Sequence, residues 1–220
     1  YTEIRSVLDE LKIAKATKVL LDLGLSSYQL DSETRGFSFQ KEAELDMRMD
    51  DKSKGEKAKD VLRTYDKEQL EKVFVDYGEL RNCGKFVENI LKERETVAIE
   101  TTSDLVKIIK KSFYFRNKRR IYIKTCAQVF QALRIEVNKE FMNIRRFLAG
   151  LGDVSAVGGR LAIITFHSLE DKLIKTFIRE KEKNGVLKVV NKKVKTVSYF
   201  DAKHNTRARS AKLRAIEWSC

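Results

Sequence analysis

Val19 to Asp50 reads VLLDLGLSSYQLDSETRGFSFQKEAELDMRMD, and this stretch decides the fold. It opens on an apolar triplet, Val19-Leu20-Leu21, expected to form a buried strand, and closes that strand on an acid and a glycine, Asp22 and Gly24. The long polar loop that follows answers to no packing requirement. In an open α/β sheet, ligands bind beyond the carboxyl ends of the strands, so an acid at such an end is a candidate ligand contact.

Upstream, Ile4, Val7, Leu8, Leu11 and Ile13 recur at helical spacing among charges, which predicts a short amphipathic helix. Lys15 to Lys18 then turns the chain into the strand. A helix feeding directly into an apolar strand is half of a βαβ unit, so a parallel sheet with a preceding strand is expected. The first strands of such a sheet would lie upstream of Tyr1.

Downstream, residues 57 to 115 are helical in pattern and highly charged. AKDVLRTY forms one helix. Asp66 with Gln69 three residues on makes a capping-box arrangement for KEQLEKVFVDYG, which Gly78 ends. LRNCGKFVENILKERE gives another helix, and Thr102 or Ser103 is expected to cap SDLVKIIKKSF. With no strand signal between them, residues 51–124 read as a helical insertion in an α/β domain made of 1–50 and 125–220. Around Phe113, Tyr114, Phe115 and Tyr122 cluster Arg116, Lys118, Arg119, Arg120 and Lys124. Cations hold phosphates and aromatic faces stack on unpaired bases; the same aromatics could equally pack the hinge of the insertion.

Val129 to Leu148 is expected to be one long helix, its stripe of Phe130, Leu133, Val137, Phe141 and Ile144 facing a core. Gly158-Gly159 then turns the chain into a second apolar strand, RLAIITF, which ends at His167. Ser168 and Asp171 have the spacing of a capping box for LEDKLIKTFIRE. His167 sits at the carboxyl end of a strand parallel to the one ending at Asp22. GVLKVVN and AKLRAIEWS supply the last strands. Arg207, Arg209, Lys212 and Arg214 alternate, so as strand residues they would line one surface, either a phosphate track or a solvated edge.

Composition narrows the partners. The 220 residues carry 45 Lys and Arg against 32 Asp and Glu, a net charge of +13, which attracts polyanions and points to nucleic acid. With 42% hydrophobic and 35% charged residues and no run near the roughly 18 apolar residues of a membrane span, no membrane partner is expected. The N-terminus has no signal-peptide layout, so a cytoplasmic protein is expected. Cys83, Cys126 and Cys220 form no CxxC pair, which suggests a reducing compartment and no structural zinc. No P-loop or G-x-G-x-x-G is present. Proline is absent from all 220 residues, against a usual share of about 5%.

LLDLGLSSYQLDSETRGFSFQKEAELDMRMD, DYGELR, FQALRIEVNKE, GGRLAIITFHSLEDKLIKTF and NTRARSAKLR, in this order, resemble the bacterial small-subunit rRNA (cytosine-N4)-methyltransferases, the RsmH or MraW family. The resemblance implies an α/β, class I S-adenosylmethionine-dependent methyltransferase sheet of Rossmann-like type with an all-helical insertion acting as the RNA-substrate domain. It implies S-adenosylmethionine as cofactor, 16S rRNA or the small ribosomal subunit as partner, and no metal. Asp22 and Gln29 match cofactor contacts of that family, and Tyr1 matches an aromatic lying by the adenine. The family's glycine-rich cofactor loop would precede Tyr1, so this chain is expected to be an N-terminally truncated member with poor cofactor affinity and an exposed edge along its first strand.

Other departures fall on prolines: Tyr28, Val157 and Thr206 stand where the family has proline, and Lys124 to Gln131 replaces H-P-A-T-R-x-F-Q. A cytosine amine is a poor nucleophile because its lone pair is delocalised into the ring. An acceptor for its hydrogens and in-line positioning supply the catalysis. Asp22, Ser26, Ser27 and His167 are the candidate acceptors. Beside the methyltransferase reading stand a catalytically impaired RNA-binding remnant of such an enzyme and a base-amine methyltransferase acting on DNA or another RNA.

Overall fold

The structure, a computed structural model, describes residues 1–116 and 118–219 apart from the side chain of Asp31; Asn117 of the basic stretch and Cys220 lie outside it. In chain order the elements are α1 (Ile4–Glu10), β1 (Ala16–Asp22), α2 (Ser27–Asp31), α3 (Ala58–Thr64), α4 (Lys67–Gly78), α5 (Gly84–Arg94), α6 (Thr102–Ser112), α7 (Arg119–Val137), α8 (Glu140–Ala149), α9 (Leu151–Val154), β2 (Ser155–Thr165), α10 (Ser168–Lys183), β3 (Leu187–Val189), β4 (Lys195–Thr196), α11 (Tyr199–His204), a 3-10 turn (Thr206–Ser210) and β5 (Lys212–Trp218). They form two compact units, Tyr1–Gly24 with Phe141–Cys220, and Leu25–Glu140. No helix among the described residues is long and apolar enough to cross a membrane.

The first unit is built on a mixed sheet in the order β1-β2-β5-β3, with β4 also pairing β5. β1 and β2 run parallel, with Leu21 opposite Ile163 and Asp22 opposite Ile164; β5 is antiparallel to β2, β3 and β4. Leu21, Leu161, Ile163 and Ile216 are buried with Ile174 and Ile178 of α10, each such side chain contributing roughly 1.5–3 kcal/mol. Leu20, expected in a buried strand, is instead 69% exposed. β1 is terminal in the sheet, and side chains alternate faces, so Leu21 is buried and Val19 packs against the same core while Leu20 points away from it. Gly158 and Gly159 do not turn the chain into the strand; they form a bulge within it. Pairing jumps from Ala16–Ser155 to Lys18–Arg160, Gly158 has φ +74°, and a Cβ on Gly159 would lie 2.7 Å from the Ala156 carbonyl oxygen.

The second unit is helical and runs wider than residues 51–124, because Phe37, Leu45 and Met47 of the long loop and Val129, Phe130 and Leu133 of α7 share its core. The Asp66–Gln69 capping box forms as expected, whereas α6 is capped one residue early, by Thr101 with Asp104. Gly78 is the last residue of α4, but the left-handed position falls on Glu79. The glycine serves close packing instead, since a Cβ there would lie 2.9 Å from the Gln128 carbonyl oxygen of α7.

The long helix expected over Val129 to Leu148 breaks at Asn138 and Lys139, the latter at φ 50°. Its apolar stripe divides accordingly: Phe130 and Leu133 enter the helical core, Phe141 and Ile144 the sheet core. Of the aromatics flanking the basic stretch, Phe113, Phe115 and Tyr122 pack against the helical core, and Tyr114 is 84% exposed. Cys83 and Cys126 are free and buried, and burial pushes both thiols up from the ordinary range.

Candidate active site

In the sheet unit, two of the candidate residues, Asp22 and His167, lie at or just beyond strand ends. Asp22 is the last residue of β1, its side chain exposed. Pairing continues one residue further, where the Leu23 N–H donates to the Ile164 carbonyl (3.1 Å). Gly24 then turns at φ +95°, a region glycine enters freely, and a Cβ there would touch Phe166 at 3.4 Å. The neighbouring strand end, at Thr165, leads through Phe166 and His167 into α10. Asp22 and His167 therefore leave the same end of two adjacent parallel strands.

His167 has a defined local role. It is the N-cap of α10, and its Nδ1 accepts from the Glu170 N–H (3.4 Å). That puts the ring proton on Nε2, which lies 3.1 Å from Glu170 Oε1 in a close contact rather than an aligned hydrogen bond. Glu170 is fully buried, and its Oε2 accepts from the Phe166 N–H (2.8 Å) and the His167 N–H (3.3 Å). Phe141 rests against the imidazole with ring centroids 6.0 Å apart. The expected Ser168–Asp171 box thus shifts back one residue.

Asp171 is drawn elsewhere. It accepts a fork from Arg214 (2.8 and 3.2 Å) and contacts Lys212 at 3.4 Å. Burial raises its carboxyl, but the hydrogen bonds and charges of Arg214 and Lys212 outweigh this and hold it below the usual range. Lys212 and Arg214 therefore share a face of β5 as expected, but as partners of Asp171; Arg207 and Arg209 sit on the 3-10 turn rather than on that strand.

Tyr1 is half exposed and meets Phe147 edge-on, centroids 5.7 Å apart. Ser26, Ser27 and Gln29 belong to the helical unit. Ser26 caps α2: its Oγ accepts from the Gln29 N–H (3.2 Å), while Gln29 Oε1 accepts from the Ser26 N–H (3.0 Å). Gln29 Nε2 donates to the Met49 carbonyl (3.2 Å). Ser27 is exposed in the first turn.

Asn138 ties the same loop down, accepting from the Met49 N–H (2.6 Å) and donating to the Met47 carbonyl (2.7 Å). Two motifs separated by about ninety positions meet through this one amide. Arg134 of the second motif makes a two-point ion pair with Glu140 at 2.7 and 3.0 Å. The altered Lys124 to Val129 segment is ordered within α7: Thr125, Cys126 and Val129 are buried, and Gln128 Nε2 donates to the Gly78 carbonyl (2.8 Å).

Asp46, in the loop of the first motif, receives a fork from Arg48 (2.7 and 2.8 Å) and lies 3.4 Å from Lys57. Burial raises its carboxyl, yet Arg48 and Lys57 outweigh that and bring it from 3.8 to about 2. A depressed carboxyl stabilises the fold above its unfolded pKa and ceases to as pH falls through its folded one. At neutral pH, Asp46→Asn is expected to lower unfolding stability by roughly 2 kcal/mol, and the gap to narrow as pH drops below about 4. Urea unfolding of both proteins across this range measures it; a gap independent of pH would rule out the ion pair as its source.

Sequence reasoning missed Glu170 and the partners of Asn138. His167-x-x-Glu170 has the capping-box spacing, but histidine is not among the residues usually sought at an N-cap. Asn138 carries no local signal, since its partners are remote in sequence.

The MraW methylase family model matches residues 1–219. The chain is 45% identical over 219 residues to ribosomal RNA small subunit methyltransferase H of Elusimicrobium minutum, covering 99% of this chain and 73% of that protein. It is 42% identical over 217 residues to the protein of the same name from Thermosipho melanesiensis, covering 99% and 72%, and 38% identical over 232 residues to that of Finegoldia magna, covering 99% and 74%. A parallel strand pair ending at Asp22 and Thr165 within a mixed α/β sheet, joined to a match across nearly every residue, places the chain in the MraW methylase family, as a methyltransferase of the class I S-adenosylmethionine-dependent fold.

Proposed function

We propose that this protein transfers a methyl group from S-adenosylmethionine to the exocyclic N4 of a cytidine in small-subunit ribosomal RNA. The observation that carries the reading is Asp22, an exposed carboxylate at the end of a parallel strand beside a glycine turn, in a chain whose relatives are named as small-subunit rRNA methyltransferases.

The residues suit the cofactor. A carboxylate complements its ammonium and hydroxyl groups, and the half-exposed ring of Tyr1 offers a stacking face for a purine. When bound, S-adenosylmethionine supplies an electrophilic methyl on a sulfonium; the new N–C bond forms as the C–S bond breaks, and one proton leaves the amine. Asp22 contacts the cofactor and accepts from the amine hydrogens, drawing the nitrogen lone pair out of the ring. Ser27 offers an exposed hydroxyl for the same purpose. Ser26 and Gln29 act chiefly on the loop, where Gln29 holds Met49 and the α2 cap; the cofactor role of Gln29 rests on its match to a cofactor contact of the family. His167, engaged by Glu170, positions the strand-to-helix junction. The helical unit serves as the RNA-substrate domain, with Tyr114 exposed under the Arg116 guanidinium, 5.6 Å from the ring centre, and Lys118, Arg119 and Arg120 exposed nearby in sequence.

The test is to incubate the protein with isotopically labelled S-adenosylmethionine and small ribosomal subunits lacking the modification, then identify the labelled nucleoside by mass spectrometry. Label in N4-methylcytidine is the expected result; label in a ring-carbon or ribose methyl would overturn the assignment of the acceptor.

A further inference from the structure

The segment from Val186 to Ala211 holds seven basic residues, Lys188, Lys192, Lys193, Lys195, Lys203, Arg207 and Arg209, against one acid, Asp201, and so carries six of the chain's net thirteen positive charges. Asp201 is itself engaged at the cap of α11, where it accepts from the Ser198 hydroxyl (2.6 Å). On α11, Tyr199 is 88% and Phe200 70% exposed. The helix buries no residue, so these two rings do nothing for the core. They are nonetheless held: Ser198 Oγ accepts from the Asp201 N–H (3.1 Å), and the His204 ring lies 4.4 Å from that of Phe200, its Nδ1 2.9 Å from the Phe200 carbonyl.

The register places this segment. Thr196, the last residue of β4, and Thr165, at the end of β2, both pair with Lys212, the first residue of β5. The connection from β4 to β5, which is α11 and the 3-10 turn, therefore emerges at the end of the sheet where β1 stops at Asp22.

From this juxtaposition we infer that the β4–β5 connection, together with the lysines that lead into it through β4, is a second RNA contact, in which Tyr199 and Phe200 stack on bases of an unpaired stretch while Lys192, Lys193, Lys195, Lys203 and Arg209 hold its phosphates. The inference rests on the rRNA reading for its partner and adds where that partner lies on the sheet unit. Aromatic faces accept any base, and cations track the backbone, which is how single strands are bound without sequence readout. A lipid surface fits less well. Interfacial binding uses a long helix with a continuous apolar face, and here two rings stand on a six-residue helix.

Fluorescence anisotropy with a short unstructured single-stranded RNA and a duplex of equal length tests this, with phosphatidylglycerol–phosphatidylcholine vesicles as a third probe. The double variant Tyr199→Ala/Phe200→Ala is expected to bind the single strand roughly tenfold or more weakly with little change for the duplex, and Tyr199→Phe to bind as the parent does. Lys192→Gln/Lys193→Gln/Lys195→Gln is expected to weaken both RNAs and flatten the salt dependence by about two in the logarithmic slope. Single-strand binding by the double alanine variant equal to the parent's overturns the inference, as does loss of vesicle binding in that variant with RNA binding intact. Because both rings are exposed, thermal unfolding is expected to be unchanged. Methyl transfer to N4 with RNA affinity untouched by the double variant would sink this inference alone; weakened RNA binding with label found on another atom would sink the acceptor assignment alone.

Discussion

Asp22→Ala is expected to lower affinity for S-adenosylmethionine between about ten- and a hundredfold, since a hydrogen bond to a charged group contributes roughly 1.5–3 kcal/mol, and to lower kcat/KM by at least that factor. The carboxylate is exposed at the end of β1, and the neighbouring pairing is carried by backbone, through the Leu23 N–H to Ile164. Thermal stability is therefore expected to stay with the parent protein. Asp22→Asn keeps the shape and loses the charge, so it should fall between the two if charge complementarity drives binding. Isothermal titration gives the affinity, and single-turnover methyl transfer separates binding from the chemical step. Parental affinity together with parental turnover in the alanine variant would remove Asp22 from the site.

The second large effect is on stability. Glu170→Ala is expected to destabilise the sheet unit by about 3–5 kcal/mol, since a buried donor left without its acceptor costs roughly 1–3 kcal/mol and the side chain leaves a cavity. Both backbone N–H groups at the β2–α10 junction, those of Phe166 and His167, donate to the one oxygen of this fully buried residue. The midpoint should fall by roughly 10 °C, given about 2–4 °C per kcal/mol for a chain of this size. Glu170→Gln retains one carbonyl oxygen and should recover a large part of the loss. A Glu170→Ala midpoint within a degree or two of the parent's would mean that the junction is held by the sheet alone. His167→Asn, with an amide oxygen suited to capping, distinguishes the two duties of that position: parental stability with impaired methyl transfer would assign the imidazole to the reaction, and full activity would leave it as a cap.

Much of the fold around the candidate site was legible because its signals are local. The Asp66–Gln69 box needs only residues three apart, and the apolar runs ending at Asp22 and His167 announce two strands whose parallel pairing follows from the helices between them. The five ordered motifs were enough to identify the family. Where the reading failed, a distant partner had intervened. Asp171 left the capping box because Arg214, over forty positions away, offers a charged fork that a backbone N–H does not match. The apolar stripe of Val129 to Leu148 gave no hint that Asn138 would end a helix, because the carbonyl and N–H that hold it belong to Met47 and Met49.

By itself, then, the sequence determined the main helices and strands, the pairing of the two strands that lead to Asp22 and His167, the basic character of the chain and its family, all of which depend on composition and short-range pattern. Only the tertiary structure decided which face of each element is buried, so that Leu20 stands in water while Glu170 is sealed inside, and which cations are already neutralised. Lys212 and Arg214 are matched to Asp171 across the sheet, while the lysines around Tyr199 and Phe200 remain exposed. Burial and charge pairing are set by residues remote in sequence and near in space, and short-range pattern carries no record of them.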